Sequence, residues 1–407
     1  MLISLSRQRL NEQLQIVAKA VPAKSTNPSL EGIYLEIKPR DSGLALITVA
    51  AANTEIVLNV SSLHDISESL ESTNLALVLP ARVQEIIRRL PGETVQLLFD
   101  WENFAVTIRS QAPADWNHGS DSQLLSLDSE FQVYGYDALD FPKQEPFTAP
   151  DLSLSLKSSD LRTSLRQVLF AVSTDESKPT FTGVHFKLQG EKLILSASDT
   201  FRVAATSCSV TDCQAPGDGN VSFLVPGKLM QECLRVFGES GRFLTEQTVR
   251  FTLSRNKLLL ERSSSGQTGT ELRISSRLLD ENFPDIERVY PKEFAGSSVV
   301  LTRELAASLE RALCLTEAGT QALKFVFEQN SLTIKASSRY GNVQERLGAL
   351  GKGADLEIYL NAKFLLDMLK ICEGEEVFFQ FTGPNRGVLL KDTLHEEFRY
   401  FILPVKS

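Results

Sequence analysis

Residues 153–173 read SLSLKSSDLRTSLRQVLFAVS and residues 183–199 read GVHFKLQGEKLILSASD. An alternating strand runs into a helical stretch, and the second segment supplies two more alternating strands. The same order opens the chain, with MLISLSRQRLNEQLQIVAKAV at 1–21 and GIYLEIKPRDSGLALITVAA at 32–51. There Leu10, Leu14 and Val17 recur at helical spacing. A third copy reads SVVLTRELAASLERALCLT at 298–316 and ALKFVFEQNSLTIKASS at 322–338. Starts near residues 1, 152 and 298 are almost evenly spaced, so the architecture is a threefold repeat.

A second unit also recurs three times: a strand ending in Pro or Asn, a short helix, a turn and further strands. Its copies are LVLPARVQEIIRRLPGETVQLLF (77–99), FLVPGKLMQECLRVFGES (223–240) and IYLNAKFLLDMLKICEGEEVFFQF (358–381). Each puts a basic residue, Arg82, Lys228 or Lys363, in the first helical turn. The helix dipole favours acids there, so something other than helix stability selects those charges. LDFPKQ (139–144) and ENFPDI (281–286) close the first two copies, and FILPVKS ends the chain. The stretches EPFTAPD and YPKEFAGS read as linkers. Three domains are expected, 1–147, 148–294 and 295–407, each built from two helix-plus-sheet halves.

Helices are expected at about 7–20, 81–90, 159–172, 227–237, 302–314 and 362–371. They hold 14 Lys/Arg against 7 Asp/Glu, near +7, whereas the whole chain carries −9 and the remainder near −16. That split predicts a basic helical surface and an acidic exterior, suited to duplex DNA held through phosphates without sequence preference. No aromatic-interleaved basic run points to single strands, and no recognition-helix or zinc-finger spacing is present.

Catalytic patterns are absent. The four histidines, His64, His118, His185 and His395, stand far apart, and neither a phosphate-cradling glycine loop nor GxSxG occurs. Cys208, Cys213, Cys233, Cys314 and Cys372 lack paired metal or disulfide spacing and are expected to be reduced and mostly buried. No metal or other cofactor is expected. The most enzyme-like fragment is SASDTFR, in which Asp199 and Arg202 offer an acid and an anion binder near His185; the alternative is that they fix a turn. No apolar run approaches the roughly 20 residues of a membrane span. The start lacks a secretory pattern, so a cytoplasmic protein without membrane partners is expected.

At AVPAKSTNPSLEGIYLEI, LRQVLFAVSTDESKPTFTGVHFKL, LSASDTFRVAATS, RLLDENFPDIERVYPKEF and YFILPVKS, the chain resembles the bacterial DNA sliding clamp, the beta subunit of DNA polymerase III. The resemblance covers essentially the full length. It implies an α+β fold of three repeated clamp domains, with helices lining the hole and antiparallel sheets outside. It also implies a head-to-tail homodimer that encircles double-stranded DNA without cofactor or catalysis. The implied partners are the DNA polymerase III alpha subunit, the clamp loader and other proteins carrying a clamp-binding motif.

The resemblance places Lys24, Arg82, Lys178 and Lys228 against DNA, with Gly227 standing where the family often has a basic residue. It places a partner-peptide pocket at Phe181, Ser198, Thr200, Phe201 and Val203, with Pro284, Val289, Asn385, Gly387, Leu403, Pro404 and Val405. Phe131 and Val133 match one side of the dimer interface, and Cys314 and Leu315 the other. Thr200-Phe201, the terminal Ser407 and a long segment at 111–130 depart from the family pattern. They motivate the alternative of a secondary clamp paralogue with altered partners.

Overall fold

The computed structural model describes residues 2–40, 43–66, 75–111, 128–142, 147, 150–215, 220–238, 247–263, 269–316 and 321–405. The first third contains β1 (Leu2–Ser6), α1 (Arg7–Val17), β2 (Gly32–Arg40), β3 (Leu44–Ala52), β4 (Ile56–Asp65), β5 (Leu75–Pro80), α2 (Val83–Arg89), β6 (Thr94–Asp100), β7 (Ala105–Gln111), β8 (Asp128–Tyr134) and β9 (Tyr136–Asp137). The second contains β10 (Leu152–Lys157), α3 (Ser158–Leu169), β11 (Gly183–Gln189), β12 (Lys192–Ser198), β13 (Arg202–Ser209), β14 (Asp212–Gln214), β15 (Ser222–Pro226), α4 (Gly227–Gly238), β16 (Thr248–Ser254), β17 (Lys257–Ser263) and β18 (Glu271–Arg277). The third contains β19 (Gly296–Leu301), α5 (Thr302–Leu313), β20 (Ala322–Phe327), β21 (Ser331–Ser338), β22 (Gly341–Gly353), β23 (Leu356–Asn361), α6 (Ala362–Leu369), β24 (Glu376–Phe381), β25 (Val388–Asp392) and β26 (Arg399–Ile402).

The repeat is carried into atomic detail. The first helix of each copy begins with one backbone N–H reaching across to the far half of its repeat. Arg7 donates to the Glu93 carbonyl at 2.8 Å, Ser158 to Gln247 at 2.8 Å and Thr302 to Glu375 at 2.9 Å. Orphan donors at a helix start need such partners. The apolar stripes read from the sequence are buried: Leu10, Leu14 and Val17 on α1, Leu161, Leu165 and Val168 on α3, and Leu305, Leu309 and Ala312 on α5. α1 is shorter than its periodic pattern because residues 18–20 tighten into a 3-10 turn. α2 starts at Val83, leaving Arg82 as its N-cap with no side-chain bond, whereas Asn361 caps α6 by accepting from Lys363 and Phe364.

Two compact units emerge, residues 1–158 with 235–277, and residues 159–234 with 278–407. In the first, β1-β6-β7-β8 form one antiparallel sheet, and the strand order β10-β16-β17-β18-β4-β3-β2-β5-β9 forms another. The second unit has one sheet in the order β15-β11-β12-β13-β26-β25-β24-β19-β22-β21-β20-β23. Thus β18 of the second repeat pairs with β4 of the first, and β26 of the third pairs with β13 of the second.

The thiols depart from expectation. All five cysteines are free, but only Cys233 is buried; Cys208 and Cys372 are half-buried, and Cys213 and Cys314 are exposed. Cys213 lies on the short exposed β14, and Cys314 caps the end of α5, so neither faces a core. Residues 112–127 of the long segment, and Ser407, lie outside the described residues.

Candidate functional site

The basic helix residues face solvent. Eleven of the fourteen are exposed, with Arg7, Arg9 and Lys19 half-buried. Among the candidate DNA contacts, Lys24, Arg82, Lys178 and Lys228 are all exposed. Lys178 closes a turn by donating its N–H to the Asp175 carbonyl at 3.2 Å. Lys228, in the first turn of α4, pairs with Glu176 of the same loop at 3.3 Å. An exposed pair of this kind is worth at most about 1 kcal/mol, so a phosphate can replace the carboxylate. The neighbouring Gly227 has a local cause: a Cβ there would lie 2.7 Å from Val172 Cγ1 and 2.8 Å from the Thr182 carbonyl oxygen. A basic side chain at that position would have to displace backbone.

The candidate peptide pocket is built on the turn between β12 and β13. Ser198 Oγ accepts from the Thr200 N–H at 3.1 Å and donates to the Arg202 carbonyl at 2.8 Å. Asp199 Oδ1 accepts from the Phe201 and Arg202 N–H groups, each at 3.0 Å. These bonds hold Thr200 at φ +80, a conformation unfavourable for a β-branched residue. Asparagine tolerates that region, so Thr200→Asn is expected to raise stability by about 1 kcal/mol in urea unfolding, with the turn's hydrogen bonds retained.

Beneath the turn lies Arg202, whose side chain is 9% exposed. Its guanidinium donates to Asp199 and Asp367 carboxylate oxygens, each at 2.8 Å, and to the Phe170 carbonyl at 2.7 Å. It stacks 4.2 Å over the Phe364 ring. Burial works against its charge, yet Tyr400, Asp367 and Asp199 together hold its pKa above the ordinary value. His185 stacks on Phe283 at 4.9 Å, and burial lowers its pKa to about 4. Asp199 and Arg202 therefore fix the turn, as one of the two readings of SASDTFR expected.

Around this base Val203, Ile286, Leu389 and Phe401 form a buried apolar floor, with Phe283, Tyr290 and Phe294 packed against it. Phe181 meets Phe283 edge-on at 6.2 Å. Gly387 is needed beneath the Phe401 ring, whose atoms a Cβ would meet within 2.7 Å. The Leu403 N–H donates to the Phe201 carbonyl at 2.9 Å, laying the terminal segment along the turn, and the Val405 N–H donates to Tyr359 at 2.9 Å. Phe201 is 61% exposed, and Val289, Leu403 and Val405 are also exposed apolar residues. Pro404 is half-buried; Pro284 and Asn385 are exposed, the latter on the turn before Gly387. Ser198 and Val203 are buried and serve as support.

Sequence reading missed Asp367, Phe170 and Phe364 as partners of Arg202. It also missed Phe283, Tyr290 and Phe294 as packing for the floor. NFPDIERVY did carry a signal, since two aromatics flank the Pro284 and Val289 that were singled out.

Of the interface candidates, Phe131 is exposed and Val133 half-buried on β8, which is the edge of its sheet. Cys314 is exposed and Leu315 half-buried at the end of α5.

Family models for the DNA polymerase III beta subunit match along the chain, the N-terminal domain at 1–145, the central domain at 155–285 and the C-terminal domain at 287–406. The chain is 27% identical over 414 residues to the beta sliding clamp of Bacillus subtilis, covering all of both chains. It is 26% identical over 409 residues to that of Staphylococcus epidermidis, covering 99% of each. The crystal structure of the Bacillus subtilis sliding clamp superposes with a TM-score of 0.82 at 26% identity, over 100% of this chain and 99% of the other. The DNA polymerase III beta subunit of Thermotoga maritima gives 0.80 at 25% identity, over 100% and 99%. The chain belongs to the bacterial beta sliding clamp family, the beta subunits of DNA polymerase III, whose members are non-catalytic processivity factors that bind DNA and replication proteins.

Proposed function

We propose that two copies of this chain close head to tail into a ring around duplex DNA, and that the ring tethers replication proteins by their peptide motifs. The carrying observation is the rule by which the repeats join. Twice, the last strand of one repeat's second half adds to the free strand of the preceding repeat, β18 to β4 and β26 to β13. The same rule applied once more joins β8 of one copy to residues 341–348 of β22 in another, the two corresponding strands that have no such partner among the described residues. Phe131 and Val133 would lie on that seam, with Cys314 and Leu315 beside it. The three domains are taken as 1–147, 148–294 and 295–407.

In this reading Lys24, Arg82, Lys178 and Lys228 contact phosphates, and retention comes from topology, because exposed lysines release phosphate readily in salt. The groove around Phe201, Leu403 and Val405 accepts a large apolar side chain from the DNA polymerase III alpha subunit, the clamp loader or another motif-bearing protein. The cytoplasm is the compartment that suits such partners. Purified protein loaded on nicked circular DNA should survive a high-salt wash and then run off once the circle is cut. Equal retention on circular and linear DNA would overturn encirclement.

A further inference from the structure

A second candidate site lies within the first compact unit. α1 faces β4, β17 and β18 across a cavity of about 120 Å³, lined by Arg9, Glu12, Gln13, Ser62, Arg262 and Thr270 among others. Each water needs roughly 10–15 Å³ on this measure, so the space holds several, or one tetrahedral oxyanion. Arg262 is only 8% exposed. Among the described residues its guanidinium has no hydrogen bond or carboxylate partner, only the Phe237 ring at 5.2 Å. Burial correspondingly lowers its pKa. Buried charges in folded proteins are ordinarily paired, so this arginine is short of an anion.

The surrounding polar groups are arranged for one. Gln13 donates its amide to the carbonyls of Ile47 and Val60 at 3.2 and 3.4 Å, which turns its Oε1 toward His64 Nε2 at 3.0 Å. That contact requires the proton on Nε2, because two acceptors would otherwise face each other. Ser62 Oγ, 2.9 Å from the same nitrogen, then acts as an acceptor and keeps its own proton for another acceptor. A hydroxyl and two guanidiniums, Arg9 and Arg262, therefore line the cavity against the single carboxylate of Glu12.

We propose that this cavity, at the seam between the first and second repeats, binds a small tetrahedral oxyanion of the phosphate or sulfate class, held chiefly by Arg262 with Arg9 and Ser62. Guanidiniums match such oxygens with paired N–H donors. The burial of Arg262 favours a free anion over a duplex backbone.

Thermal unfolding of the full chain in phosphate, against chloride at matched ionic strength, tests this. A saturable rise in the midpoint is expected for the native chain. Arg262→Met should unfold at a higher temperature than the native chain in chloride, since an unpaired buried charge is gone, and should show no phosphate response. Glu12→Gln should reach the half-effect at about threefold lower phosphate, through loss of a competing carboxylate. A phosphate response that is absent from the native chain, or unchanged in both variants, would overturn the site. So would an Arg262-dependent response produced by a duplex oligonucleotide and not by phosphate.

Discussion

Arg202→Ala is expected to lower the stability of the unit that carries it by about 3–5 kcal/mol, the usual cost of breaking a buried charge pair from one side. The side chain is 9% exposed and serves two carboxylates, Asp199 and Asp367, themselves 15% and 25% exposed. Its removal leaves both acids poorly hydrated, empties the space over Phe364 and Phe170, and frees the Phe170 carbonyl. Far-UV circular dichroism during urea unfolding, with hydrogen exchange over residues 159–234 and 278–407, reads the loss where it should fall. Asp367→Asn keeps a hydrogen-bonding group and should cost less, about 1–3 kcal/mol. Because Asp199 also caps the Ser198–Val203 turn, the peptide binding proposed at Phe201 should weaken in the alanine variant even where it remains folded. An unfolding midpoint unchanged by Arg202→Ala would mean that the pair contributes nothing net.

The same arginine marks how far the sequence could be read. Asp199 and Arg202 are three residues apart, so a local turn was visible; Asp367 is 165 residues further on, and no spacing announces it. The repeats were legible because strand alternation and helical spacing are local properties, and the buried stripes of α1, α3 and α5 follow them. Joining one repeat to the next was not legible, since the pairing of β18 with β4 depends on which edges are left free in three dimensions. For the groove, the family resemblance pointed to the exposed residues Phe201 and Leu403 but not to the packing around its floor. Tyr290 and Phe294 both fall in YPKEFAGS, which reads as a linker, yet both pack against Phe401 and its neighbours. The thiols misled for a related reason: composition makes cysteine a core residue on average, while Cys314 happens to cap a helix. Arg262 gave no signal at all, because nothing local distinguishes a strand arginine that turns inward from one that turns out.

Phe131→Asp is expected to weaken self-association about a hundredfold or more while leaving the monomer folded, because the residue is 43% exposed at a sheet edge. The repeat also fixes the register of the proposed seam. Following the ladders outward from the strand before each first helix, Ile3, Leu97, Ile108 and Phe131 lie on one rung. Leu154, Phe251, Leu260 and Ile274 form the equivalent rung in the second repeat, and Ser298, Phe379, Leu390 and Tyr400 in the third. Ile274 stands opposite Leu58, and Tyr400 opposite Ala204. Gly32, Gly183 and Ala322 each face the Pro or Asn that precedes a second helix. Counted from those three, Leu58 and Ala204 are equivalent to Val343. Two independent junctions therefore give one answer, Phe131 opposite Val343 of the other copy. Facing residues in antiparallel strands have Cα atoms about 4.5–5.5 Å apart, within reach of a disulfide. With the exposed Cys213 and Cys314 replaced by serine, cysteines at 131 and 343 should cross-link two copies under mild oxidation, whereas cysteines at 131 and 345 should not. Because a shift of one residue turns side chains to the opposite face, efficient coupling of 131 to 342 or 344 in place of 343 would exclude this register.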